Sequence, residues 1–253
     1  MSRRLALLFT LAGTTLAFQA HADTIKVLTT GAFKQVVVAM VPAFERSTGH
    51  KVDVVNDTAG AIVKRIAGGE SFDVLVLTPG ALKPLAAEGK VAADSVAVLA
   101  KVAIGVAVKA GTTAPEIGTV EQFKAALLAA KKVAYIDPAS GGSSGIYLDD
   151  LFKKMGIADA IHAKAVLVPG GLVADRLVNG EADLAIHQIS EILPVKGATL
   201  VGPLPEAVQN YTTYAGATAP NGAHVEAAKA FLASLSGPAA AAVLTEKGMT
   251  PAK

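Results

Sequence analysis

The sequence of 253 residues contains no cysteine and no tryptophan, and only 5% of its residues are aromatic. The absence of cysteine excludes disulfide bonds, thiol catalysis, cysteine-ligated metal sites and a lipid-modified cysteine at the amino terminus. Stability must therefore come from apolar packing. The chain is rich in alanine, valine and leucine and is long enough to bury one large core or two smaller ones.

Charged residues are also scarce, at 17% of the sequence, and neither sign dominates, with 23 basic and 21 acidic residues. A nucleic-acid-binding surface or a polybasic membrane-binding segment requires clustered lysine and arginine, and the sequence has no such block. We therefore expect that the protein binds no nucleic acid and no anionic membrane surface.

The longest apolar run lies at the amino terminus. Two arginines precede the run from Leu5 to Phe18, and Ala20-His21-Ala22 has the small-residue pattern of a cleavage site. These features predict a secretory signal peptide over residues 1–22, cleaved after Ala22. Because the run is shorter than the ~20 residues that a membrane-spanning helix requires, we expect no membrane insertion and export to the periplasm.

Short β-branched runs, typical of strands buried on both faces, alternate with amphipathic helical stretches. This alternation is typical of an α/β fold with largely parallel sheets. The predicted strands are residues 25–28, 52–55, 73–77, 102–108, 132–136, 165–168, 183–186 and 210–217. The predicted helices are residues 33–48, 62–67, 82–88, 120–130, 146–155, 172–178, 224–235 and 238–246.

The same pattern predicts two lobes joined by two crossovers. A strand-like segment over residues 101–109 is followed by a Gly/Thr/Pro stretch typical of a crossover, and residues 204–217 would form the return. We therefore predict one lobe formed by residues 23–107 and 206–253. The inserted second lobe would be formed by residues 108–205.

The segment DPASGGSSGIYLDD, residues 137–150, concentrates glycine and serine between a predicted strand and a predicted helix. It is not a P-loop, because Ile146-Tyr147 stands where Lys-Ser/Thr would follow the glycines, and its glycine spacing does not match the dinucleotide fingerprint. Residues 141–145 match the G-x-S-x-G pattern of serine hydrolases. A nucleophile elbow, however, places its serine directly at the strand-to-helix turn, whereas here residues 137–140 intervene.

An anion-binding loop fits this segment best. Ser143 or Ser144 can cap a helix that begins near Gly145, whose free N–H groups and positive dipole end would then face an anion. The alternative is a surface loop with an ordinary helix cap.

Three more strand-to-helix junctions carry small or hydroxylated residues. In open α/β sheets, ligands bind at the carboxyl ends of the strands, so four such junctions predict a cleft for a small anion. The junction residues are Thr30 and Gly31 in the first loop, Asp57 and Thr58 in the second, and Gly170 and Gly171 at the start of a later predicted helix.

Over essentially its whole mature length, the chain resembles periplasmic solute-binding proteins of the type II fold, in particular the molybdate-receptor group. The segments that carry the resemblance are IKVLTTGAF, TAGAIVKRIAGGESFDVLVLT, DPASGGSSGIY and GPAAAAVLTEKGM. The resemblance implies an α/β fold of two lobes that close like a hinge over a ligand cleft.

The positions that would hold molybdate differ from that group. Its members have serine at the positions of Ala32 and Ala59 and a tyrosine near His187. Each lost hydrogen-bond donor would cost roughly 1–3 kcal/mol, which disfavours molybdate as the ligand unless Thr30 or Thr58 replaces the missing hydroxyls.

Two functions follow from the resemblance. In the character of its site the chain is similar to the periplasmic aconitate isomerases of this wider group, which would make it an enzyme that interconverts trans- and cis-aconitate without metal or organic cofactor. The alternative is a receptor that delivers a molybdate-like oxyanion or an organic anion to an ABC permease.

As an isomerase, the protein would use His187 to move the proton, because imidazole titrates near neutrality, while helix N-termini stabilise the developing negative charge. A structural histidine is the alternative. Asp57 is the second candidate base, although an aspartate at such a position is also typical of a turn or cap. Glu191 is expected behind the substrate contacts or on a solvated helix. The predicted substrate-binding residues are Thr30, Gly31, Thr58, Ala59, Ser143, Ser144, Gly170, Gly171 and Gln188.

Overall fold

The structure is a computed structural model and describes residues 22–252; apart from Ala22, the predicted signal peptide lies outside the described residues. The strands are β1 (Thr24–Thr30), β2 (Lys51–Asp57), β3 (Val74–Leu77), β4 (Ala97–Lys109), β5 (Val133–Ile136), β6 (Ala165–Val168), β7 (Leu184–Gln188), β8 (Ala198–Pro203), β9 (Tyr211–Thr218) and β10 (Met249–Pro251). The helices are α1 (Gly31–Thr48), α2 (Ala59–Ala67), α3 (Pro79–Ala87), α4 (Val120–Ala129), α5 (Ser143–Lys154), α6 (Ala158–His162), α7 (Asp175–Val178), α8 (Ile189–Ile192), α9 (Val225–Ser234) and α10 (Pro238–Glu246).

Local sequence explains where the helices begin and end. α1 ends where Gly49 adopts a left-handed conformation (φ 78°) and its N–H donates to the carbonyl of Glu45. α4 begins with a capping box, in which the Thr119 hydroxyl accepts from the Gln122 N–H and the Gln122 side chain accepts from the Thr119 N–H. Such caps determine the directions in which the helix N-termini point.

Strand β4 connects two sheets. Its first half, through Ala103, pairs with β9 and β10, and its second half, from Ile104, pairs with β7 and β8. The strand order across both sheets is β2-β1-β3-β9-β4-β7-β5-β6, with β8 and β10 on the two halves of β4. A single long strand therefore joins the two halves of the molecule. The predicted lobe boundaries at residues 107/108 and 205/206 stay a prediction.

The sheets are mixed, and the expectation of largely parallel sheets was wrong. β1 pairs in parallel with β2 and β3, and β5 with β6 and β7, but β3–β9 and every pair made by β4 are antiparallel. The reason is that the chain passes from the first sheet to the second along β4 itself and returns from β8 to β9 without a helical crossover. β2 is also less buried than predicted, because it lies at a sheet edge.

Helices cover both faces of each sheet and bury four apolar clusters. In the first sheet, the Phe44 ring packs edge-on against Phe231 at 4.9 Å between α1 and α9. In the second sheet, Tyr135 and Phe152 make the same kind of contact at 5.5 Å. Within residues 22–252 no single helix is long and apolar enough to span a membrane, although α9 and α10, bent by 58°, pass that test as a pair.

Candidate functional site

A cavity of about 40 Å³ lies at the carboxyl ends of β1, β2, β5 and β7. Three helices begin at its wall, α1, α2 and α5, and the positive ends of their dipoles favour an anion there. Among the predicted site residues, those that line the cavity are Thr30, Gly31, Asp57, Thr58, Ala59, Ser143, Ser144, Gly171, His187 and Gln188. Gly170 is adjacent to it, since a Cβ there would lie 3.9 Å from Asp57 Oδ1.

At the start of α1, Thr30 and Gly31 present a hydroxyl and a backbone without a side chain. Thr30 is the extended N-cap residue, and in the described part of the chain its buried Oγ1 has no hydrogen-bond partner. A Cβ on Gly31 would overlap the carboxylate of Glu191. Glycine at this position therefore allows a carboxyl group to lie against the first residue of the helix.

At the start of α2, the polar side chains are already partnered. The Thr58 hydroxyl accepts from the Ala61 N–H at 3.2 Å and donates to the Ser140 carbonyl at 2.5 Å. Asp57 Oδ1 accepts from the Thr58 N–H at 2.8 Å, and its Oδ2 lies 3.5 Å from Arg65 Nη1. The hydrogen bond from Thr58 to Ser140 ties this second loop to the segment of residues 137–150, which we call the glycine-serine loop.

Helix α5 begins at Ser143, earlier than predicted, and its N-cap residue is Gly142. The prediction that Ser143 or Ser144 caps this helix was wrong, because both serines already have helical backbone inside its first turn. The first turn packs tightly on β5, where a Cβ on Gly145 would overlap the Ile136 carbonyl. The Ser143 hydroxyl instead accepts from Gln188 Nε2 at 3.4 Å.

The segment with Gly170 and Gly171 is a turn, so the predicted helix start at these glycines was also wrong. Gly171 has φ 86°, a left-handed conformation that ends the extended chain of β6 without starting a helix. The α-helix begins only at Asp175 and has four residues.

His187 and Glu191 form a buried pair at the floor of the cavity. His187 is the penultimate residue of β7 and Glu191 lies on α8, so the spacing of four residues brings His187 Nε2 to 3.2 Å from Glu191 Oε2. The side chains are 2% and 8% exposed. The expectation that Glu191 might lie on a solvated helix was wrong, because the short helix α8 packs against β4 and α1 and turns the carboxyl group inward.

Burial without a compensating charge makes both members of the pair neutral. It lowers the pKa of His187 to about 3 and raises the pKa of Glu191 to about 8. At neutral pH the imidazole is therefore a free base and the carboxyl group is mainly protonated. Opposite pKa shifts of two neighbouring groups in one cavity are typical of sites of acid–base catalysis.

Tyr214 is a lining residue that the sequence did not reveal. It lies on β9, and burial, reinforced by the Glu191 carboxylate, raises the pKa of its phenol, while the nearby hydroxyls of Ser143 and Thr30 act in the opposite sense. No local motif distinguishes it from the apolar residues of the same strand. Its position in the site depends on the pairing of β9 with β4.

The polarity of the cavity comes from helix ends, neutral polar groups and the carboxylate of Asp57. Among residues 22–252, no lysine or arginine lines it, and no group of three or more histidine, aspartate or glutamate side chains is arranged to hold a metal ion. Two further buried atoms in the lining, His187 Nδ1 and Gln188 Oε1, have no hydrogen-bond partner in the region described. Because unpaired buried polar atoms are costly, these atoms indicate a polar ligand.

Known structures share this architecture. The molybdate-binding protein of Azotobacter vinelandii superposes with a TM-score of 0.76 at 18% identity, over 90% of this chain and 100% of that chain. The sulfate-binding protein of Mycobacterium tuberculosis H37Rv superposes with a TM-score of 0.73 at 17% identity, over 92% and 88%. The predicted periplasmic-binding-protein fold is confirmed.

Sequence comparison extends the relationship to nearly the whole chain. A Pseudomonas sp. protein named aconitate isomerase is 36% identical over 247 residues, which cover 95% of this chain and 93% of that protein. The family model described as bacterial extracellular solute-binding protein matches residues 25–250. With a fold, a cavity and a sequence of this kind, the chain belongs to the bacterial extracellular solute-binding proteins.

Proposed function

We propose that this protein is a periplasmic aconitate isomerase, which interconverts trans- and cis-aconitate by an allylic proton shift. The observation that carries the proposal is the buried imidazole of His187 in a cavity where three helix N-termini converge. Helix ends alone are sufficient for an anion receptor, whereas proton transfer requires a titratable group beside the anion. The 36% identity to a protein named aconitate isomerase supports this choice.

In this reaction His187 takes a proton from the methylene carbon of trans-aconitate. The electron pair of that C–H bond spreads over the neighbouring double bond and carboxylate, and a proton is then added to the former vinyl carbon. Burial keeps the free imidazole neutral, and the negative charge of the bound substrate raises its pKa and thereby its basicity. The N-termini of α1, α2 and α5 stabilise the charge that develops between the two carbons.

Asp57 is the alternative base, and its contacts make it the weaker candidate. Its carboxylate accepts from the Thr58 N–H and lies beside Arg65, so it is committed to the start of α2. His187 Nδ1, by contrast, has no hydrogen-bond partner among the described residues. We assign proton transfer to His187 and a positioning role to Asp57.

Substrate entry requires the two halves of the molecule to separate. A cavity of about 40 Å³ is much smaller than the pockets of about 300–1,000 Å³ that usually hold small molecules. We propose that residues 108–205 move as a lobe against residues 23–107 and 206–253. This motion would break the contacts of Thr58 and Gly60 with the glycine-serine loop.

A second candidate function is a receptor for a small oxyanion that acts with an ABC permease. The small volume of the cavity favours this candidate, because an oxyanion of molybdate or sulfate size needs less space than aconitate. The structural neighbours named as molybdate- and sulfate-binding proteins support it at the level of the fold.

Proton NMR of residues 23–253 with trans-aconitate in D2O separates these functions. The isomerase proposal requires that cis-aconitate appears, with deuterium at its methylene carbon, and that a His187→Gln variant produces neither. Broadened aconitate resonances without a new species would mean a carboxylate receptor. If aconitate has no effect and molybdate or sulfate raises the melting temperature, the protein is an oxyanion receptor.

A further inference from the structure

Glu191 is the titratable group nearest to His187, and the mechanism above leaves it without a role. Its Oε2 lies 3.2 Å from His187 Nε2, and its carboxyl group lies so close to Gly31 that a Cβ there would overlap it. The carboxyl group therefore lies between the imidazole and the N-terminus of α1, on the wall of the cavity.

We propose that Glu191 is the second proton-transfer group of the site and delivers the proton to the carbon from which the double bond moves away. This inference rests on the proposed isomerase function. An allylic shift needs a base at one carbon and an acid at another, and a pair in direct contact can supply both.

The surroundings of Glu191 favour its protonated form. The titratable groups that face it are His187 on β7 and Tyr214 on β9, both of them buried. Among the residues described, no lysine or arginine lines this cavity to compensate a carboxylate charge. Burial accordingly raises the pKa of Glu191 to about 8, so that a proton is available at neutral pH.

The protons taken up and released in the reaction balance between His187 and Glu191. His187 takes the methylene proton, the electron pair shifts across the allylic system, and the Glu191 O–H bond breaks as a new C–H bond forms at the former vinyl carbon. This leaves imidazolium beside carboxylate. One proton then passes from His187 Nε2 to Glu191 Oε2 across 3.2 Å, and the imidazole exchanges its remaining proton with solvent when the cleft opens.

The test compares Glu191→Gln with wild type and with Glu181→Gln, a surface carboxylate change at the ion pair with Arg176. Two quantities are measured with trans-aconitate in D2O: the isomerisation rate and the ligand-induced rise in melting temperature. We expect Glu191→Gln to lose about 100-fold or more in isomerisation rate, the usual size of a general-acid contribution. The rise in melting temperature should remain, since the helix ends that bind the carboxylates are intact.

A Glu191→Gln rate within about fivefold of wild type would overturn the inference while leaving the isomerase proposal standing. Absence of turnover in wild type and in Glu181→Gln would instead overturn the proposed function, and this inference with it. As a second variant, Glu191→Ala with added formate distinguishes a chemical role from a structural one. Formate should restore part of the rate, whereas a rate that does not respond to formate, in a variant that still shows the ligand-induced rise in melting temperature, counts against proton delivery by Glu191.

Discussion

Gly60 on α2 and Gly141 in the glycine-serine loop meet backbone to backbone beside the cavity. The Gly60 N–H donates to the Gly141 carbonyl at 3.2 Å, and a Cβ on Gly60 would lie 2.8 Å from Gly141 Cα. A side chain at either position would prevent this approach. Together with the hydrogen bond from Thr58 to Ser140, this contact holds the two loops together over the cavity.

We expect Gly60→Ala to impair closure of the cleft and to lower kcat/KM for aconitate on the order of 100-fold, because a displacement of about 1 Å is enough for such a loss. Small-angle X-ray scattering should show less ligand-induced compaction than in wild type. Gly80→Ala is a matched control, since Gly80 is likewise the second residue of a threonine-capped helix but has open space around it. If Gly60→Ala keeps the compaction and the kcat/KM of the wild type, the contact between Gly60 and Gly141 is not needed to close the cleft.

His187 and Asp57 are distinguished by conservative substitution. We expect His187→Gln to abolish isomerisation, and Asp57→Asn to lower the rate less than about tenfold, because asparagine still accepts from the Thr58 N–H and a partly exposed ion pair contributes little. Both variants are compared by the appearance of cis-aconitate in the NMR assay. If Asp57→Asn abolishes turnover and His187→Gln does not, the assignment of the base is reversed.

The buried pair also predicts how stability depends on pH. Glu191 keeps its proton in the folded protein up to about pH 8, whereas an unfolded glutamate releases it above pH 4.5. Its contribution to the free energy of unfolding therefore falls as the pH rises from 4.5 and is lost above about 8. His187 acts in the opposite sense, because the contribution of a lowered pKa is present above 6.5 and lost as pH falls toward about 3.

Between pH 6.5 and 8, therefore, Glu191 is the member of the pair whose contribution to the free energy of unfolding changes. We expect the free energy of unfolding of the wild type to fall across this range relative to Glu191→Gln, by roughly 1 kcal/mol per pH unit. Tyr214 begins to titrate only above this range. Urea denaturation of both proteins at several pH values measures the difference, and parallel pH profiles would show that Glu191 is already ionised in the folded protein.

Two alanines in the cavity wall predict a change of ligand. Both Ala32 and Ala59 line the cavity, and the resemblance to molybdate receptors implies serine at these two positions in that group. The double variant Ala32→Ser, Ala59→Ser should gain affinity for molybdate, by about tenfold for each 1.4 kcal/mol that the new donors contribute. Calorimetric titration measures the gain, and Ala81→Ser on α3 is the control; equal molybdate affinity in wild type and double variant would contradict the prediction.

The amino-terminal pattern predicts a mature protein that begins at Asp23. Expression of the full chain in a Gram-negative host should place this form in the periplasmic fraction, where intact-mass spectrometry identifies the cleavage site. Ala22→Leu should block processing, because the cleavage site requires a small residue. If the chain without the Ala22→Leu substitution is recovered uncleaved in the cytoplasm, the prediction of export is wrong.

Much of the fold followed from local patterns in the sequence. The strand β1 and the helix α1, for example, are evident from an apolar β-branched run followed by apolar residues at helical spacing. The small elements β8, β10, α6 and α8 were not predicted, because segments of three to six residues carry too little periodicity. The orientation of the strands was missed for a different reason: antiparallel pairing along β4 is a long-range property.

For the site, local sequence was enough to predict which loops line the cavity and which residue types they carry. Helix caps, glycines and hydroxyls act within a few residues of where they stand, so their positions at the strand ends are readable from the order of the chain. The contact between Glu191 and His187 inside the cavity, and the presence of Tyr214 beside them, could not be predicted from local sequence. Those contacts depend on how α8 packs against α1 and how β9 pairs with β4, and burial, which sets the charge of the pair, exists only once distant elements have come together.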